Sequence, residues 1–251
     1  MPALSRRAKS FGKRVHAYVR GRQGVPPEIC KHFRSLLPPR SLVLDIGCGT
    51  GISTATVAGE GAIVIGCDVD RRMVAEAIEQ GWPGAAFVRA AAERLPFATA
   101  SFDGATAFSA FHWFANSSAI SELRRVLKPG GAVLIVNKFD EDDAKERFRS
   151  LVEDITGRTI PNPKAKYDPL TLLRESGFRT ATAYSISYVE KFDEIGAKHF
   201  FLSTSIAGQI PSALTVEFER RLDVFWKSLS DKNGTYVRPV RAAAVVAVNP
   251  T

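Results

Sequence analysis

The chain has 251 residues, of which 45% are hydrophobic and 24% are charged, and its formal net charge is +8. These values are typical of a globular protein with one sizeable core, and they exclude a disordered or fibrous chain. No apolar run approaches the roughly 18 residues of a membrane-spanning helix, so we expect no membrane contact and a cytoplasmic location. Three cysteines without framework or metal-binding spacing, Cys30, Cys48 and Cys67, indicate reduced thiols and no metal site.

The excess positive charge lies in the N-terminal segment. Seven of the 34 basic residues precede residue 23, and the first acidic residue is Glu28. A basic segment of this kind fits a transit peptide, an arm that contacts RNA, or a helix that covers an anionic pocket. The charge by itself does not distinguish these three roles.

From residue 41 onward, short apolar runs alternate with amphipathic stretches. The pattern predicts strands at 41–46, 62–67, 85–89, 102–108 and 132–137, and helices at 52–58, 71–80 and 117–127. This alternation indicates βαβ units, and therefore a parallel sheet with helices on both faces. Right-handed crossovers place the loops that follow the strands along one edge, where such sheets bind ligands.

The pattern changes after residue 137. Helices are predicted at 140–154, 167–176 and 212–229, and strands at 178–189 and 235–248. About forty-five residues separate the last two strands, and an insertion of this length is typical of a lid or binding element. We therefore predict a lid or substrate-binding insertion at residues 190–230.

A glycine-rich loop follows the first strand, where residues 45–51 read Asp-Ile-Gly-Cys-Gly-Thr-Gly. Glycines let the backbone turn sharply and let a ligand approach it closely, although a purely structural turn is the alternative. The spacing differs from the dinucleotide pattern G-x-G-x-x-G, and an acid before the glycines would repel a pyrophosphate. Asp45 suits instead the cationic amino group of a methionine moiety.

A second acidic residue, Asp68, ends the second predicted strand. It lies 17 residues beyond Gly51, where a carboxylate can accept hydrogen bonds from both hydroxyls of a ribose. The alternative role is the N-cap of the next helix, which Asp70 would fill better. We therefore assign Asp68 to a ribose.

Six segments, in this order, resemble those of the class I S-adenosylmethionine-dependent methyltransferases. They read Val-Leu-Asp-Ile-Gly-Cys-Gly-Thr-Gly at 43–51, Gly-Cys-Asp at 66–68, Ala-Glu-Arg-Leu-Pro-Phe at 92–97, Ser-Phe-Asp at 101–103, His-Trp at 112–113 and Arg-Val-Leu-Lys-Pro-Gly-Gly at 125–131. The resemblance is to the small-molecule branch, the type 11 methyltransferases that include ubiquinone-biosynthesis and trans-aconitate-type enzymes. It is dense over residues 41–137 and looser elsewhere.

The resemblance implies an α/β, Rossmann-like fold. Its sheet would have seven strands in the order 3-2-1-4-5-7-6, with the last strand antiparallel and helices on both faces. We expect a single methyltransferase domain over 1–251, with N-terminal cap helices at 1–40, a cofactor-binding core at 41–137 and the lid insertion between the last two strands.

The implied cofactor is S-adenosyl-L-methionine, and the resemblance assigns residues to each part of it. The methionine portion would be surrounded by Asp45, Gly47, Cys48, Gly49 and Gly51, the ribose held by Asp68, and the adenine packed by Val69 and Met73 and bordered by Ala92 and Glu93. The family often has an aspartate immediately before this Ala-Glu pair, bonding the adenine amino group, where this chain has Ala91. We therefore expect adenine recognition through backbone groups and weaker cofactor binding.

The segment after the fourth strand contains the candidate catalytic residue. His112 would lie beside the sulfonium, and an imidazole is suited to act as a general base near neutral pH. The alternative is that His112 and Trp113 are structural and wedge the loop against the core. Phe108, Ser109 and Trp113 are expected to form walls of the pocket, with Phe108 also contacting the cofactor.

The N-terminal segment resembles the family's F-x(6)-Y-x(3)-R segment, which folds over the cofactor. Phe11, Tyr18 and Arg22 occupy its positions, and Arg22 would bond the methionine carboxylate or an anionic substrate. The alternative is a solvated basic helix. In the insertion, the Ser203 hydroxyl either faces the substrate or caps a turn.

The leading function is therefore methyl transfer from S-adenosylmethionine to an oxygen, nitrogen or carbon atom of a small molecule. One alternative is an RNA methyltransferase that uses the basic arm, but the chain has no separate RNA-binding module and no Asn/Asp-Pro-Pro-Tyr/Phe signature. A second alternative is a protein that binds the cofactor without catalysis. The methyl acceptor and the oligomeric state are not assigned from the sequence.

Overall fold

The computed structural model describes residues 14–59, 61–161 and 168–250. Its strands are β1 (Leu42–Ile46), β2 (Ile63–Asp68), β3 (Ala85–Arg89), β4 (Phe102–Phe108), β5 (Leu127–Asp140), β6 (Arg179–Phe192) and β7 (Tyr236–Val248). They form one seven-stranded sheet in the order β3-β2-β1-β4-β5-β7-β6. Strands β1 to β5 pair in parallel, whereas β7 is antiparallel to both β5 and β6. The predicted strand order and antiparallel last strand are confirmed.

The helices follow the strands as the alternation predicted. They are α1 (Val15–Gly21), α2 (Lys31–Ser35), α3 (Ile52–Gly59), α4 (Arg71–Gln80), α5 (Ser117–Val126), α6 (Ala144–Thr156), α7 (Pro169–Glu175), α8 (Glu194–Leu202) and α9 (Thr215–Leu229). Within the described ranges, no helix combines the length and the apolar character that a membrane span requires. The predicted cap region at 1–40 is described from residue 14, where α1, a short 3-10 turn and α2 precede the sheet.

The ends of α4 show why local sequence located this helix correctly. The Asp70 side chain accepts a hydrogen bond from the backbone N–H of Arg72 at its N-terminus. At its C-terminus Gly81 adopts a left-handed conformation, with φ of 64°, which glycine tolerates without steric cost. Asp70 is therefore the N-cap, as expected, and the carboxylate of Asp68 is not needed for that role.

Two hydrophobic clusters cover opposite faces of the sheet. Consecutive strand residues alternate between them, so that Leu44 belongs to one cluster and Val43 to the other. Ile120 of α5 packs into the first cluster, and Val57 of α3 packs into the second. Helices therefore lie on both faces, and the loops after β1 to β4 are left at one edge.

Two strands are longer than predicted. The apolar run at 132–137 is extended at both ends in β5, which pairs with β7 from Ala132 opposite Val248 to Asp140 opposite Val240. Strand β6 likewise continues to Phe192, opposite Tyr236. The additional residues at 138–140 and 190–192 pair with β7, whereas Leu127 at the start of β5 pairs with Phe102 of β4. Such long-range pairing is not contained in the apolar pattern of one strand.

The insertion between β6 and β7 contains a helix, α8, that the sequence analysis missed. The Asp193 side chain caps it by accepting a hydrogen bond from the backbone N–H of Gly196 at 2.7 Å. Its buried residues are Ala197, Phe200 and Phe201, which recur at helical spacing and were the available signal.

Core packing accounts for the aromatic residues of the insertion. Phe200 and Phe201 are each 1% exposed and belong to a third hydrophobic cluster, which α6, α8 and α9 build together. Helix α1 packs against α8 so closely that a Cβ atom on Gly21 would lie 2.2 Å from the backbone nitrogen of Phe200. The insertion is thus joined to α1 and α6, and its function as a lid stays a prediction.

Candidate functional site

A cavity of about 210 Å³ lies at the carboxyl edge of the sheet. The structure brings to its wall most of the residues predicted for a site, although they come from distant parts of the chain. These are Tyr18, Arg22, Gly47, Gly49, Asp68, Val69, Met73, Ala92, Glu93, Phe108, Ser109, His112 and Trp113. Their individual roles toward a ligand stay predictions.

The other predicted site residues are not part of this wall. Asp45 and Cys48 line a smaller neighbouring cavity of about 50 Å³, which shares Tyr18 and Arg22 with the larger one. Gly51 and Ser203 face other side chains, for reasons given below. Phe11 lies outside the described residues.

The glycine loop adopts the sharp turn that its sequence predicted. Gly47, Gly49 and Gly51 have φ angles of 72°, 57° and 83°, a region that side chains disfavour. The backbone N–H groups of Gly47 and Cys48 donate to the Cys67 carbonyl at 2.8 and 3.0 Å, which fixes the loop against the end of β2. The loop is therefore rigidly held where it borders the cavity.

Gly51 is required for packing. A Cβ atom there would lie 2.6 Å from the ring of Trp82, and the Trp82 indole donates a hydrogen bond to the carbonyl of Thr50 at 2.8 Å. The tryptophan ring occupies the space beside this glycine, and the position of Gly51 near the methionine portion of the cofactor stays a prediction. The spacing of the glycines could not reveal this long-range contact.

Asp45 is buried beneath the glycine loop. It is 1% exposed, and its two carboxylate oxygens accept hydrogen bonds from the hydroxyls of Thr54 at 2.5 Å and Thr106 at 2.9 Å. Burial raises the pKa of Asp45 to about 6, although the two hydroxyl donors offset part of this effect. Any ligand group that contacts Asp45 would do so from the smaller cavity.

Asp68 presents its carboxylate to the main cavity while two backbone groups hold it in place. One oxygen accepts from the N–H of Gly49 at 3.1 Å and the other from the N–H of Asp70 at 2.8 Å. Burial raises the pKa of Asp68. Since each carboxylate oxygen can accept more than one hydrogen bond, Asp68 keeps capacity for two hydroxyl donors, as a ribose would supply.

The part of the wall next to β3 is largely apolar. Val69 and Met73 line it together with Ala91 and Ala92. The carboxylate of Glu93 accepts a hydrogen bond from the Asn116 amide at 3.1 Å, and the Asn116 side chain in turn caps α5. This surface can pack against a flat aromatic base, and Glu93 is engaged in holding the loop.

The loop after β4 forms the middle of the wall. Ser109 has a φ of 51°, an unusual conformation for a residue with a side chain, and its N–H donates to the Val136 carbonyl at 2.7 Å. His112 and Trp113 follow in a 3-10 turn, with ring centroids 4.7 Å apart. His112 thus lines the cavity in contact with Trp113, a position that fits both the base and the structural prediction.

Helix α1 covers the cavity with Tyr18 and Arg22. The Nε of Arg22 donates to the Ser203 hydroxyl at 2.7 Å, and the guanidinium carbon lies 5.2 Å from the Tyr18 ring centroid and 5.1 Å from that of Phe200. Burial lowers the pKa of Arg22. The prediction of a solvated basic helix is wrong for this residue, because its charged end is enclosed by the insertion.

Of the two roles predicted for Ser203, facing the substrate or capping a turn, its contacts fit the cap. It is fully buried, and its hydroxyl donates to the Phe200 carbonyl at 2.6 Å while it accepts from Arg22. A hydroxyl at the end of α8 satisfies a carbonyl that the helix leaves without a partner. Ser203 therefore positions Arg22, and the next residues, Thr204 and Ser205, line the cavity instead.

Two basic residues of the wall were missed in the sequence analysis. Lys145 and Arg149 extend from α6. They are four residues apart on a helix that directly follows β5, so they share one helical face. That spacing, next to the ligand-binding edge of the sheet, was the available signal.

The wall residue Lys145 belongs to a buried network of charges. Its Nζ lies 3.0 Å from one carboxylate oxygen of Asp140. The other oxygen of Asp140 accepts a hydrogen bond from Arg238. Arg238 binds Glu190, and Glu190 binds Lys138 at 2.6 Å. Both Arg238 and Glu190 are 2% exposed. Within the described ranges, no group of three or more metal-ligating side chains was found.

The sheet order is that of a Rossmann-like fold, and the cavity lies at the carboxyl edge of the strands, where proteins of this fold bind their ligands. A family model described as a methyltransferase domain matches residues 44–135. The O-methyltransferase resE of Aspergillus sclerotiorum is 31% identical over 192 residues, which are 66% of this chain and 70% of that protein. This chain belongs to the family of S-adenosylmethionine-dependent methyltransferases.

A second relative matches a shorter part of the chain. An uncharacterized methyltransferase of Mycobacterium tuberculosis is 37% identical over 134 residues, which are 53% of this chain and 54% of that protein. The match thus spans about half the length of this relative.

A solved structure has a similar fold. It is phosphoethanolamine N-methyltransferase 2 from Haemonchus contortus, in complex with phosphomonomethylethanolamine and S-adenosylhomocysteine, and its TM-score is 0.54. It is 18% identical and covers 99% of this chain and 59% of that chain, which shows a shared fold.

Proposed function

We propose that the protein transfers a methyl group from S-adenosylmethionine to a small-molecule acceptor. The observation that supports this most directly is the shape of the main cavity. It runs from Asp68 and the apolar surface beside β3, past the loop after β4, to α6 and the insertion. One continuous cavity therefore borders both the residues assigned to the nucleoside and those left for a second small molecule.

The chemistry of the residues fits the cofactor. Asp68 can accept from the ribose hydroxyls, and Val69 and Met73 can pack against adenine. Asp45 and Arg22, which both line the smaller cavity, can bind the ammonium and the carboxylate of a methionine moiety. The Haemonchus contortus relative, which shares the fold, was solved with S-adenosylhomocysteine, in line with this assignment.

When bound, S-adenosylmethionine supplies a methyl group whose bond to the sulfonium breaks, with its electron pair remaining on sulfur, as the acceptor forms a new bond to carbon. The protein contributes orientation and exclusion of water. Tyr18 and Arg22 cover the cavity from α1, and Phe108 and Trp113 form its middle wall. His112 would take the proton of an acceptor that arrives protonated.

The RNA alternative is disfavoured by the position of Arg14 and Arg22, the N-cap and C-cap residues of α1, whereas Arg20 within the helix is exposed. Arg22 is enclosed between Tyr18 and Phe200, and burial lowers the pKa of Arg14 as well. The guanidinium of Arg14 contacts the insertion, because a Cβ atom on Gly208 would lie 2.1 Å from it. These two charges face the protein interior, so they are not available to a phosphate backbone.

The test is calorimetric binding of S-adenosylhomocysteine, followed by a search for transfer of radiolabelled methyl groups. We expect binding by the wild-type chain and label in the small-molecule fraction of a cell extract. Label in RNA that falls steeply with added salt would support the RNA alternative instead. Binding without any transfer would support a non-catalytic protein. Absence of binding would refute both the small-molecule and the RNA methyltransferase hypotheses.

A further inference from the structure

We propose that the methyl acceptor carries an anionic group, a carboxylate or a phosphate, that binds Lys145 and Arg149 at the α6 end of the cavity. This inference rests on the proposed function, since it identifies the chemistry of the acceptor. Three features of the structure lead to it, namely the order of the strands, the placement of the two cations and the charge of the network beneath them.

The strand order determines which part of the cavity is left for the acceptor. The residues assigned to adenine, ribose and methionine follow β3, β2 and β1, which are neighbours at one side of the sheet. Strand β4 comes next, with Phe108 and Ser109 at its end. Strand β5 lies beyond it and leads into α6. The α6 end is therefore separated from the adenine residues by the full width of the cofactor site.

Lys145 and Arg149 are the basic residues at this end. Their side chains are 27% and 13% exposed. Lys145 has one ion-pair partner, Asp140, and Arg149 contacts Glu146 at 3.0 Å and the Ile160 carbonyl at 2.9 Å. An ammonium has three N–H donors and a guanidinium five, so both side chains keep donors beyond these bonds.

No carboxylate of the described wall balances them at this end. The acidic residues among those that line the cavity are Asp68 and Glu93. Asp68 follows β2, and Glu93 follows β3, where it binds Asn116. Both acids thus lie on the cofactor side, and the acceptor side presents positive charge.

The buried charge network that contains Lys145 also has an excess of positive charge. Asp140 is shared by Lys145 and Arg238, and Glu190 is shared by Arg238 and Lys138. Among the described residues and their ion pairs, three cations therefore share two carboxylates. A buried net charge is costly unless a partner neutralises it, and burial lowers the pKa of Lys145. An anionic ligand at the cavity surface would supply the missing negative charge.

Arg22 does not reduce the excess of positive charge in this network. It lies close enough to the network to lower the pKa of Lys145, so it adds a further positive charge. If Arg22 binds the carboxylate of the cofactor, as proposed above, the three cations and two carboxylates still leave one positive charge for the acceptor. The guanidinium of Arg149, whose partner Glu146 is 66% exposed and thus strongly screened, adds to it.

The experiment measures anion binding directly, because the acceptor is not identified. Malonate, inorganic phosphate and the neutral diamide malonamide are titrated calorimetrically into the full chain, with and without saturating S-adenosylhomocysteine. The test variant is Lys145→Gln with Arg149→Gln. The matched control is Arg147→Gln with Arg220→Gln, which changes the net charge equally at side chains 42% and 67% exposed and outside the cavity wall.

We expect malonate or phosphate to bind the wild-type chain, and the stronger of the two identifies the anion class. The dissociation constant should rise at least about tenfold in the test variant and by less than about twofold in the control. Affinity for S-adenosylhomocysteine should stay within about twofold, which also shows that the variant is folded. Lys145→Arg, which keeps the charge, should retain most of the anion affinity.

Several results would overturn the proposal. These are failure of both anions to bind the wild-type chain, equal binding of malonamide, and an equal loss in the control variant. A large loss of S-adenosylhomocysteine affinity in a folded test variant would assign the two cations to the cofactor. Failure of the wild-type chain to bind S-adenosylhomocysteine would instead refute the proposed function, while the titrations without it still decide whether the anion site exists.

Discussion

Replacement of Asp45 by asparagine is expected to stabilise the fold at neutral and alkaline pH. Burial raises the pKa of this carboxyl to about 6, from an ordinary value of 3.8. A carboxyl whose folded pKa is raised contributes stability that is fully present below the unfolded pKa. That contribution is lost as the pH rises through the folded value. Ionised Asp45 is thus a cost to the folded protein.

The size of this cost follows from the two pKa values. At about pH 8, where the carboxyl is ionised in both states, the difference corresponds to about 3 kcal/mol, because one pH unit is worth 1.36 kcal/mol. At about pH 5 the same relation leaves about 1.6 kcal/mol. Asparagine removes the charge and keeps the shape, and the hydroxyls of Thr54 and Thr106 can each donate or accept. The gain should therefore decrease as the pH falls.

The assay is urea unfolding of both proteins, without cofactor, at several pH values between about 5 and 8. Asp103→Asn is the matched control with the opposite sign. Burial acts to raise the pKa of Asp103, but hydrogen bonds from Lys128 and from the Leu42 N–H outweigh it and lower the pKa. Its contribution to stability is present above the unfolded pKa and is lost as the pH falls, so Asp103→Asn should destabilise at pH 8.

The same substitution should weaken cofactor binding if Asp45 contacts the ammonium of the methionine moiety. A variant that is more stable yet binds S-adenosylhomocysteine less tightly would show that this carboxylate is kept for function at the expense of stability. No gain in stability at pH 8, or a gain that does not depend on pH, would refute the reasoning about its burial.

Three further outcomes are expected. Asp68→Ala should weaken S-adenosylhomocysteine binding by about 1–3 kcal/mol in calorimetry, because the ribose hydroxyls lose their acceptor. The control Asp70→Ala should lower the stability of α4 and leave this affinity unchanged. Equal losses of affinity in the two variants would contradict the assignment of Asp68 to the ribose. His112→Ala should lower turnover roughly a hundredfold or more with cofactor affinity retained if the imidazole is the base, and a small change would leave it structural. Gly21→Ala should lower the free energy of unfolding by about 1–3 kcal/mol, because the new methyl group would overlap the backbone at Phe200. A stable Gly21→Ala protein with unchanged unfolding would show that α1 is not anchored to α8.

Much of the fold was predictable because its signals are local. Helix α4 is bounded by Asp70 and Gly81, which adjoin its two ends in the sequence and cap them. The strands β1 to β4 appear as short apolar runs, and the glycine loop is determined by three neighbouring residues. The resemblance of six ordered segments then supplied the strand order, which apolar patterns do not specify.

The resemblance also selected residues that the structure brings to the cavity wall, since these residues belong to loops at the ends of β1 to β4. It could not show what each of these residues contacts. Gly51 accommodates Trp82, and Ser203 binds Arg22, a residue 181 positions earlier in the chain. Side-chain partners at such separations depend on how the insertion packs against α1, which local patterns do not encode.

The sequence by itself thus determined the family, the sheet and the loops that border a ligand. Only the tertiary structure placed two cations at the α6 end of the cavity, because Lys145 and Arg149 come from a helix outside the densely matching segment. Their surroundings are set by Asp140, Glu190 and Arg238, which three separate strand segments bring together. The electrostatic environment of a side chain depends on such long-range packing. It therefore cannot be predicted from local sequence patterns.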